Sequence, residues 1–261
     1  MCASLMGCSA PTAYAPEQDA NVDSPYDPDG YHGIGGIVGG GGNDAGHDTG
    51  TITVGCTARV LVLFDRSSSM ATEWTGGSTS GPRWQIAEMA LASAVMPHEA
   101  QLTVGAILFP SSEEPLPSAM CAPVDPIASQ IPFQSGASFL SVWAARWSSA
   151  DLLGSTPIDS AFDSADAALS GAGAETVVVL LTDGEPTCTG TIDAATRASS
   201  WRARGIHTWV VGLPGSSAGQ ARLDSIAAAG GTTTISADDP SALSTALSSI
   251  ASSHVQNQCA P

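Results

Sequence analysis

The sequence predicts an α/β protein: a doubly wound, mostly parallel central sheet flanked by helices, with a flexible tether in front of it. Four short runs of branched apolar residues lack the strict alternation of a strand with one wet face, which is the mark of strands covered on both faces. Segments with helical period lie between those runs. With 261 residues and 43% hydrophobic content, the chain has ample material for a buried core.

In chain order, the strands are expected at residues 60–64, 102–109, 176–182 and 206–212, with a weak last strand at 232–236. Trp84, Ala87, Leu91, Ala94 and Val95 fall on one helical face, and Ile158, Ala161, Phe162, Ala165 and Leu169 on another. Further helices are expected at 192–204, 218–229 and 241–254. In folds of this class ligands bind beyond the carboxyl ends of the strands, where loops enter the helices. Residues 71–82 and 111–153 would then be rim loops that set specificity.

Charge removes several functions. The 25 acidic residues face 8 basic ones, a net charge of −17, and all eight basic residues are arginine. They are scattered, so no basic stripe exists to release counterions from a phosphate backbone, and nucleic acid is not an expected partner. The absence of lysine excludes a phosphate-gripping P-loop, Schiff-base chemistry and a Ser-Lys hydrolase. No apolar run approaches the roughly 18 residues of a membrane-spanning helix, so contact with a membrane would come only through an anchor.

Residues 1–50 hold seven acids and no arginine, and a Gly-rich stretch spans 33–42. The expected organisation is a partial signal with a lipobox at 1–8, a flexible acidic linker at 9–55 and a folded domain at 56–259. Leu5-Met6-Gly7-Cys8 resembles a bacterial lipobox, which makes Cys8 the expected lipidation site. The basic and apolar regions that normally precede a lipobox are missing, as they would be if the start were assigned too far downstream. Asp19, Asn21, Asp23, Asp27 and Asp29 are spaced like calcium ligands. Ser24 and Gly30, however, stand where such a loop needs its glycine and its glutamate, so a solvated linker is the better reading.

With Cys8 lipidated and Cys2 removed, Cys56, Cys121, Cys188 and Cys259 remain, an even number that suits an oxidising compartment. Cys56 precedes the first strong strand and Cys259 follows the last helix. A Cys56–Cys259 bridge would close a loop around the whole domain, and Cys121–Cys188 follows by elimination. No CxxC pair suggests thiolate metal binding.

Three loops carry the chemistry. After the first strand comes Asp65-Arg66-Ser67-Ser68-Ser69-Met70, a carboxylate followed at alternate positions by two hydroxyls, which a turn over the strand tip can aim at one point. Gly154-Ser155-Thr156-Pro157 opens a helix, and Thr182-Asp183-Gly184-Glu185-Pro186 closes an apolar strand. Singly, each has an ordinary explanation: a polar turn, a helix N-cap followed by proline, and a turn pair.

In this order and at these element ends, the three loops resemble the von Willebrand factor type A domain over residues 56–259. That family's metal-ion-dependent adhesion site combines a DxSxS loop, a threonine and an aspartate. Here these match Asp65, Ser67 and Ser69, then Thr156, then Asp183. Gly212-Leu213, the stretch 223–227 and Gly230-Gly231 look like the family's closing segment. Ser68 departs from the glycine common in the loop. The resemblance implies that the hydroxyls touch Mg²⁺, with Mn²⁺ or Ca²⁺ as alternatives, and that the aspartates bind it directly or through water. Neutral hydroxyl ligands leave the ion's charge partly uncompensated, so it stays electrophilic toward an Asp or Glu carboxylate of a protein partner. Overall negative charge is screened within about 8 Å at physiological salt and does not oppose so direct a contact. Glu185 is near enough in sequence to join the rim, and Trp143 with Trp147, one helical turn apart, form either a recognition patch or, with more weight, core packing.

The enzyme readings are weak. Gly215-Ser216-Ser217-Ala218-Gly219 fits a nucleophile-elbow pattern, with Asp224 or Asp238 and His254 following in hydrolase order, but too little chain remains for two further strand ends. A phosphatase built on Asp65 would need a second carboxylate where Ser67 stands, and a lysine. His32, His47, His98, His207 and His254 show no metal-ligand spacing. The expectation is a non-enzymatic, exported binding module. It would be an outer-membrane or cell-surface lipoprotein, or else periplasmic or secreted, capturing a protein through Mg²⁺. A constitutive cell-envelope scaffold with a structural metal is the alternative.

Overall fold

A computed structural model of the chain describes residues 56–76, 79–111, 121, 124–147, 154–184 and 187–259, all in the second of the chain's two units, Thr51–Pro261. Cys8, the linker 9–55 with its aspartates Asp19, Asp23, Asp27 and Asp29 and with Asn21, and Glu185 lie outside the described residues. The elements run β1 (Ala58–Asp65), β2 (Glu73–Gly76), β3 (Thr79–Pro82), α1 (Arg83–Val95), β4 (Leu102–Phe109), β5 (Ile131–Ser135), α2 (Gly136–Trp147), α3 (Ile158–Ala168), β6 (Thr176–Thr182), α4 (Ala194–Arg202), β7 (His207–Gly212), α5 (Gln220–Ala229), β8 (Ile235–Ser236) and α6 (Pro240–Cys259).

The main sheet has the order β5-β4-β1-β6-β7-β8 and is parallel except at the β4–β5 edge. Successive side chains of a strand point to opposite faces, and here both faces are covered. Val60, Val62 and Phe64 of β1 enter a core shared with Ile86 and Leu91 of α1, Phe139 and Trp143 of α2, and Leu243 and Leu247 of α6. Leu61 and Leu63 enter a second core with Phe162 of α3, Trp201 of α4 and Ile226 of α5. Burial of this kind is why the central strands read as continuous apolar runs: every residue of β6 is buried.

The chain leaves β1 toward the α1 face and leaves its neighbour β6 toward the α4 face. Adjacent strands whose following loops part to opposite faces open a crevice at their carboxyl ends, the usual ligand position in a doubly wound sheet. The end of β1 is Asp65 and the end of β6 is Thr182, followed by Asp183.

Four expectations need correcting. Residues 111–153 are not one loop, since they contain β5 and α2. The strand Ile131-Pro132-Phe133-Gln134-Ser135 carries a proline and pairs along one side only, antiparallel to β4 with an irregularity between Val104 and Ala106, so it lacks the pattern of a two-face-buried strand. In α2, Trp143 is core: it is fully buried, its ring 5.3 Å from Phe139 and 5.2 Å from Phe64. Trp147 closes α2, and its side chain is outside the description. Residues 71–82 likewise hold the β2–β3 hairpin, in which Trp74 is buried against the α1 core. The last strand is only Ile235–Ser236, because Thr232 instead closes α5, its N–H donating to the Ala227 carbonyl and its hydroxyl to the Thr208 carbonyl. Finally, α6 continues to Cys259, beyond the expected stop at 254.

Cys56 is bonded to Cys259 across 203 residues, and Cys121 to Cys188. The first bridge joins the chain just before β1 to the end of α6. Cross-linking a loop of that length restricts the unfolded chain by roughly 4 to 5 kcal/mol in the chain-entropy model. A Cys56→Ser/Cys259→Ser variant is expected to lose stability on that order in urea titration while keeping native far-UV circular dichroism. A loss below about 1 kcal/mol would show that the bridge does not constrain the unfolded chain.

Candidate metal site

The loop after β1 turns on its own aspartate. Asp65 is fully buried at the strand tip, and one carboxylate oxygen accepts the Ser67 N–H at 2.7 Å, an Asx-type turn that lifts the next residues over the sheet. The other oxygen accepts the Thr182 hydroxyl at 2.5 Å, tying the tips of β1 and β6 together. Thr182 Oγ1 in turn accepts the Gly184 N–H at 3.2 Å. Asp65 therefore fixes both loops, and Thr182 is a site residue that sequence reasoning missed: a threonine ending a buried strand looks like any β-branched strand residue.

The turn sets Ser67 Oγ 3.0 Å from Ser69 Oγ, and Ser69 Oγ donates to Asp183 Oδ1 at 2.7 Å. Ser68 points away: it is exposed and its hydroxyl donates to the Gly154 carbonyl at 3.3 Å. That contact, which a glycine could not make, ties the first loop to the second.

Thr156 is buried in the second loop, where its N–H donates to the Thr187 hydroxyl at 2.8 Å and its carbonyl accepts the Thr187 and Ile158 N–H groups. The helix-cap explanation of this threonine does not hold. The N-cap position of α3 is Pro157, and no side chain caps this helix. The Thr156 hydroxyl faces the third loop: a Cβ added to Gly184 would lie 3.3 Å from Thr156 Oγ1 and 3.9 Å from Ser69 Oγ. A side chain at 184 would intrude between the hydroxyls, which gives Gly184 a steric reason. The five matched residues, Asp65, Ser67, Ser69, Thr156 and Asp183, thus lie on three loops that meet above β1 and β6.

Asp183 is the second buried carboxylate, with its side chain at 0% exposure, and its Oδ2 accepts Arg83 Nη1 at 2.6 Å. Arg83 opens α1, a hundred residues away in sequence, and the same Nη1 lies 3.5 Å from the Ser69 carbonyl. Gly215, at φ +107°, passes over this pair: a Cβ there would come within 2.8 Å of the Asp183 carbonyl and 2.9 Å of Arg83 Nη1. Nothing in the sequence links Arg83 or Gly215 to Asp183, because only the fold brings them together.

Burial, and after it the charge of Asp183, pushes the Asp65 carboxyl up to about 7 against the partial opposition of the Ser67 and Thr182 hydrogen bonds. Among the described residues no group of three His, Cys, Asp or Glu side chains could hold a metal. A metal here must use hydroxyls, and the spacing suits one. Octahedral coordination at about 2.1 Å puts neighbouring ligand oxygens about 3.0 Å apart. Ser67 Oγ to Ser69 Oγ at 3.0 Å and Ser69 Oγ to Asp183 Oδ1 at 2.7 Å are hydrogen bonds whose lengths fall near that separation.

The alternative chemistries are not assembled. Ser217 is exposed on a 3-10 turn beyond the carboxyl end of β7, whereas His254 lies on α6 against the Arg59 and Glu175 carbonyls, at the amino ends of β1 and β6. Asp224 and Asp238 are exposed, and Asp224 accepts a hydrogen bond from Gln220. Acid, base and nucleophile of the hydrolase reading therefore lie apart. His98 bonds Ser252 on α6, and His32 and His47 are outside the described residues.

No protein-family model matches the chain, and no curated protein matches it in sequence. Solved structures do. An aerotolerance-related membrane protein from Bacteroides fragilis is 24% identical, with a TM-score of 0.53 over 75% of this chain and 99% of that one. A von Willebrand factor type A protein from Catenulispora acidiphila is 18% identical, with a TM-score of 0.52 over 77% of this chain and 43% of that one. The pilus adhesin SpaC from Lactobacillus rhamnosus GG is 14% identical, with a TM-score of 0.57 over 79% of this chain and 31% of that one. The chain has a von Willebrand A-like fold, and the α/β class expected from its sequence is the class observed.

A folded-state pKa above the unfolded value means that the native protein binds more protons between the two, so stability falls as pH rises through that window. For Asp65 the window runs from the ordinary aspartate value of 3.8 to about 7. In chelator, the stability of the wild type relative to Asp65→Asn is expected to decline from pH 4 to pH 7 and to level off above, as read from urea midpoints. A difference that stays flat or rises over this window would mean that Asp65 is charged throughout it.

Proposed function

We propose that the domain is a metal-dependent protein-binding module of the cell envelope. The observation that supports this most directly is the meeting of three loops at the switch point, with Ser67 Oγ, Ser69 Oγ and an Asp183 oxygen within 3.0 Å of their neighbours and the Thr156 hydroxyl not used to cap its helix. In this reading Ser67, Ser69 and Thr156 hold Mg²⁺ or Mn²⁺ through their hydroxyls, and Asp65 and Asp183 hold it directly or through water. Bound there, the ion supplies an electrophilic position for an Asp or Glu carboxylate of a protein partner. The chain's own groups do the rest: Asp65 and Thr182 set the loop tips, and Thr187 holds the Thr156 loop. The Cys121–Cys188 bridge attaches the edge of the 111–153 segment next to Thr187. The partner's identity would be read by this rim.

The scaffold alternative, with a metal that serves only to fix the loops, is the poorer reading, because Arg83 and the hydrogen bonds of Asp65 already join the first and third loops, and Ser68 and Thr187 already hold the second. An exported location agrees with the two disulfides, and attachment through a lipid on Cys8 completes the proposal. The likeness to a pilus adhesin and to a membrane-associated protein fits both parts.

Isothermal titration of the chelator-stripped protein with MnCl₂ is the test. The wild type is expected to bind one ion, and Asp65→Ala and Thr156→Ala to weaken binding at least about tenfold with native circular dichroism, each having lost a ligand or its tether. Pull-downs from envelope extracts should recover a partner in Mg²⁺ and lose it in EDTA. Equal recovery in both would end the adhesion reading.

A further inference from the structure

The Arg83–Asp183 ion pair gives the site a cation of its own. Building on the proposed divalent-ion site, we infer that Arg83 is a resident counter-cation: it keeps Asp183 in place while the site holds no divalent ion, and it competes with that ion for the same carboxylate.

The argument begins with burial. The Asp183 side chain is 0% exposed, the Arg83 side chain 14%, and their contact is 2.6 Å. A buried carboxylate needs a partner, and losing the partner costs more than the pair contributes, because an uncompensated charge is left inside. Asp183 stands beside a second buried carboxylate, Asp65, whose protonation its charge already favours. Two carboxylates in one crevice repel each other, so a site built only from them would open or take up protons. Among the described ion pairs, Arg83–Asp183 is the one that reaches a matched ligand. The others join Arg59 to Glu175, Arg197 to Asp163 and Asp166, Arg204 to Asp166, and Arg222 to Asp159 and Asp193.

The placement of Arg83 is enforced. It is the first residue of α1, directly after the β2–β3 hairpin, and its N–H donates to the Thr72 carbonyl at 3.1 Å, which locks the start of the helix to the end of the serine loop. Gly215 lies over the guanidinium on the other side, in a backbone conformation that side chains avoid. Both oxygens of Asp183 are engaged, one by the Ser69 hydroxyl and one by Arg83. A divalent ion drawing on this carboxylate meets a fixed positive charge already bound to it. Like charges at such range oppose each other strongly where water is excluded. The arginine therefore lowers affinity for the metal, and in return the empty loops stay assembled.

The experiment uses the full chain, Mn²⁺ as probe, and three variants. Arg83→Gln removes the charge, Arg83→Met removes it while keeping apolar bulk, and Arg83→Lys retains it. In EDTA, Arg83→Gln and Arg83→Met are expected to melt below the wild type, and Arg83→Lys near it. By isothermal titration, Arg83→Gln and Arg83→Met should bind Mn²⁺ about tenfold or more tightly than the wild type, with Arg83→Lys unchanged, and saturating Mn²⁺ should raise their melting temperature by more than that of the wild type. If Arg83→Gln is unfolded in EDTA, refolding on Mn²⁺ addition supports the inference and failure to refold overturns it. A wild type that binds Mn²⁺ and an Arg83→Gln variant that binds it equally or more weakly would overturn this inference alone. No Mn²⁺ binding by any of the four proteins would overturn the divalent-ion reading and the inference together.

Discussion

Two carboxylates buried at the tips of adjacent central strands govern how this molecule is built. Asp65 and Asp183 lie where β1 and β6 end, out of contact with water, and each must have its charge answered by protein groups. Asp65 is answered by the Ser67 N–H and the Thr182 hydroxyl, Asp183 by the Ser69 hydroxyl and the Arg83 guanidinium. These contacts tie the loops to the strand tips, to each other and to the start of α1, so satisfying the carboxylates and shaping the crevice are the same event. A polar network of this kind fixes a single arrangement because each partly satisfied alternative leaves a buried group unpaired.

The sheet explains why the carboxylates stand there. A strand buried on both faces is apolar through its middle, and the polar residues that close β1 and β6, Asp65 and Thr182, emerge at the carboxyl edge. At the switch point the two following loops diverge. The third loop reaches the crevice by a different route. Thr156 precedes α3 in the opposite core and is held by Thr187, in the segment beyond β6. Next to Thr187 in sequence, Cys188 bonds Cys121, so the same short segment supports a matched hydroxyl and the border of the rim. At the other end of the domain the Cys56–Cys259 bridge joins the start of β1 to the last helix, away from the crevice.

Arg83 changes how the charge of the site is understood. The chain has 25 acidic residues and 8 basic ones, and one of those few arginines lies against a matched carboxylate. With both matched carboxylates ionised, two negative charges face the one positive charge of Arg83. A divalent ion in the proposed site would leave the group positive, which suits the capture of an acidic ligand by a protein that is acidic elsewhere.

The sequence by itself determined the strands and helices of the central layer and the three oxygen-bearing loops. Those features rest on local order: the period of apolar residues along a segment, and a carboxylate followed by hydroxyls at alternate positions. β5 and α2 were not legible, because an edge strand buried on one side can carry Pro132 and Gln134, and Trp143, which anchors α2 and which the sequence favoured as core over a surface patch, gains its partner Phe64 only in the fold. That Thr156 does not cap α3, that Thr182 bonds Asp65 and that Arg83 pairs with Asp183 were decided only in three dimensions. Each depends on which strands become neighbours, and strand order comes from burying two cores at once, a property of the whole chain that no window of the sequence contains.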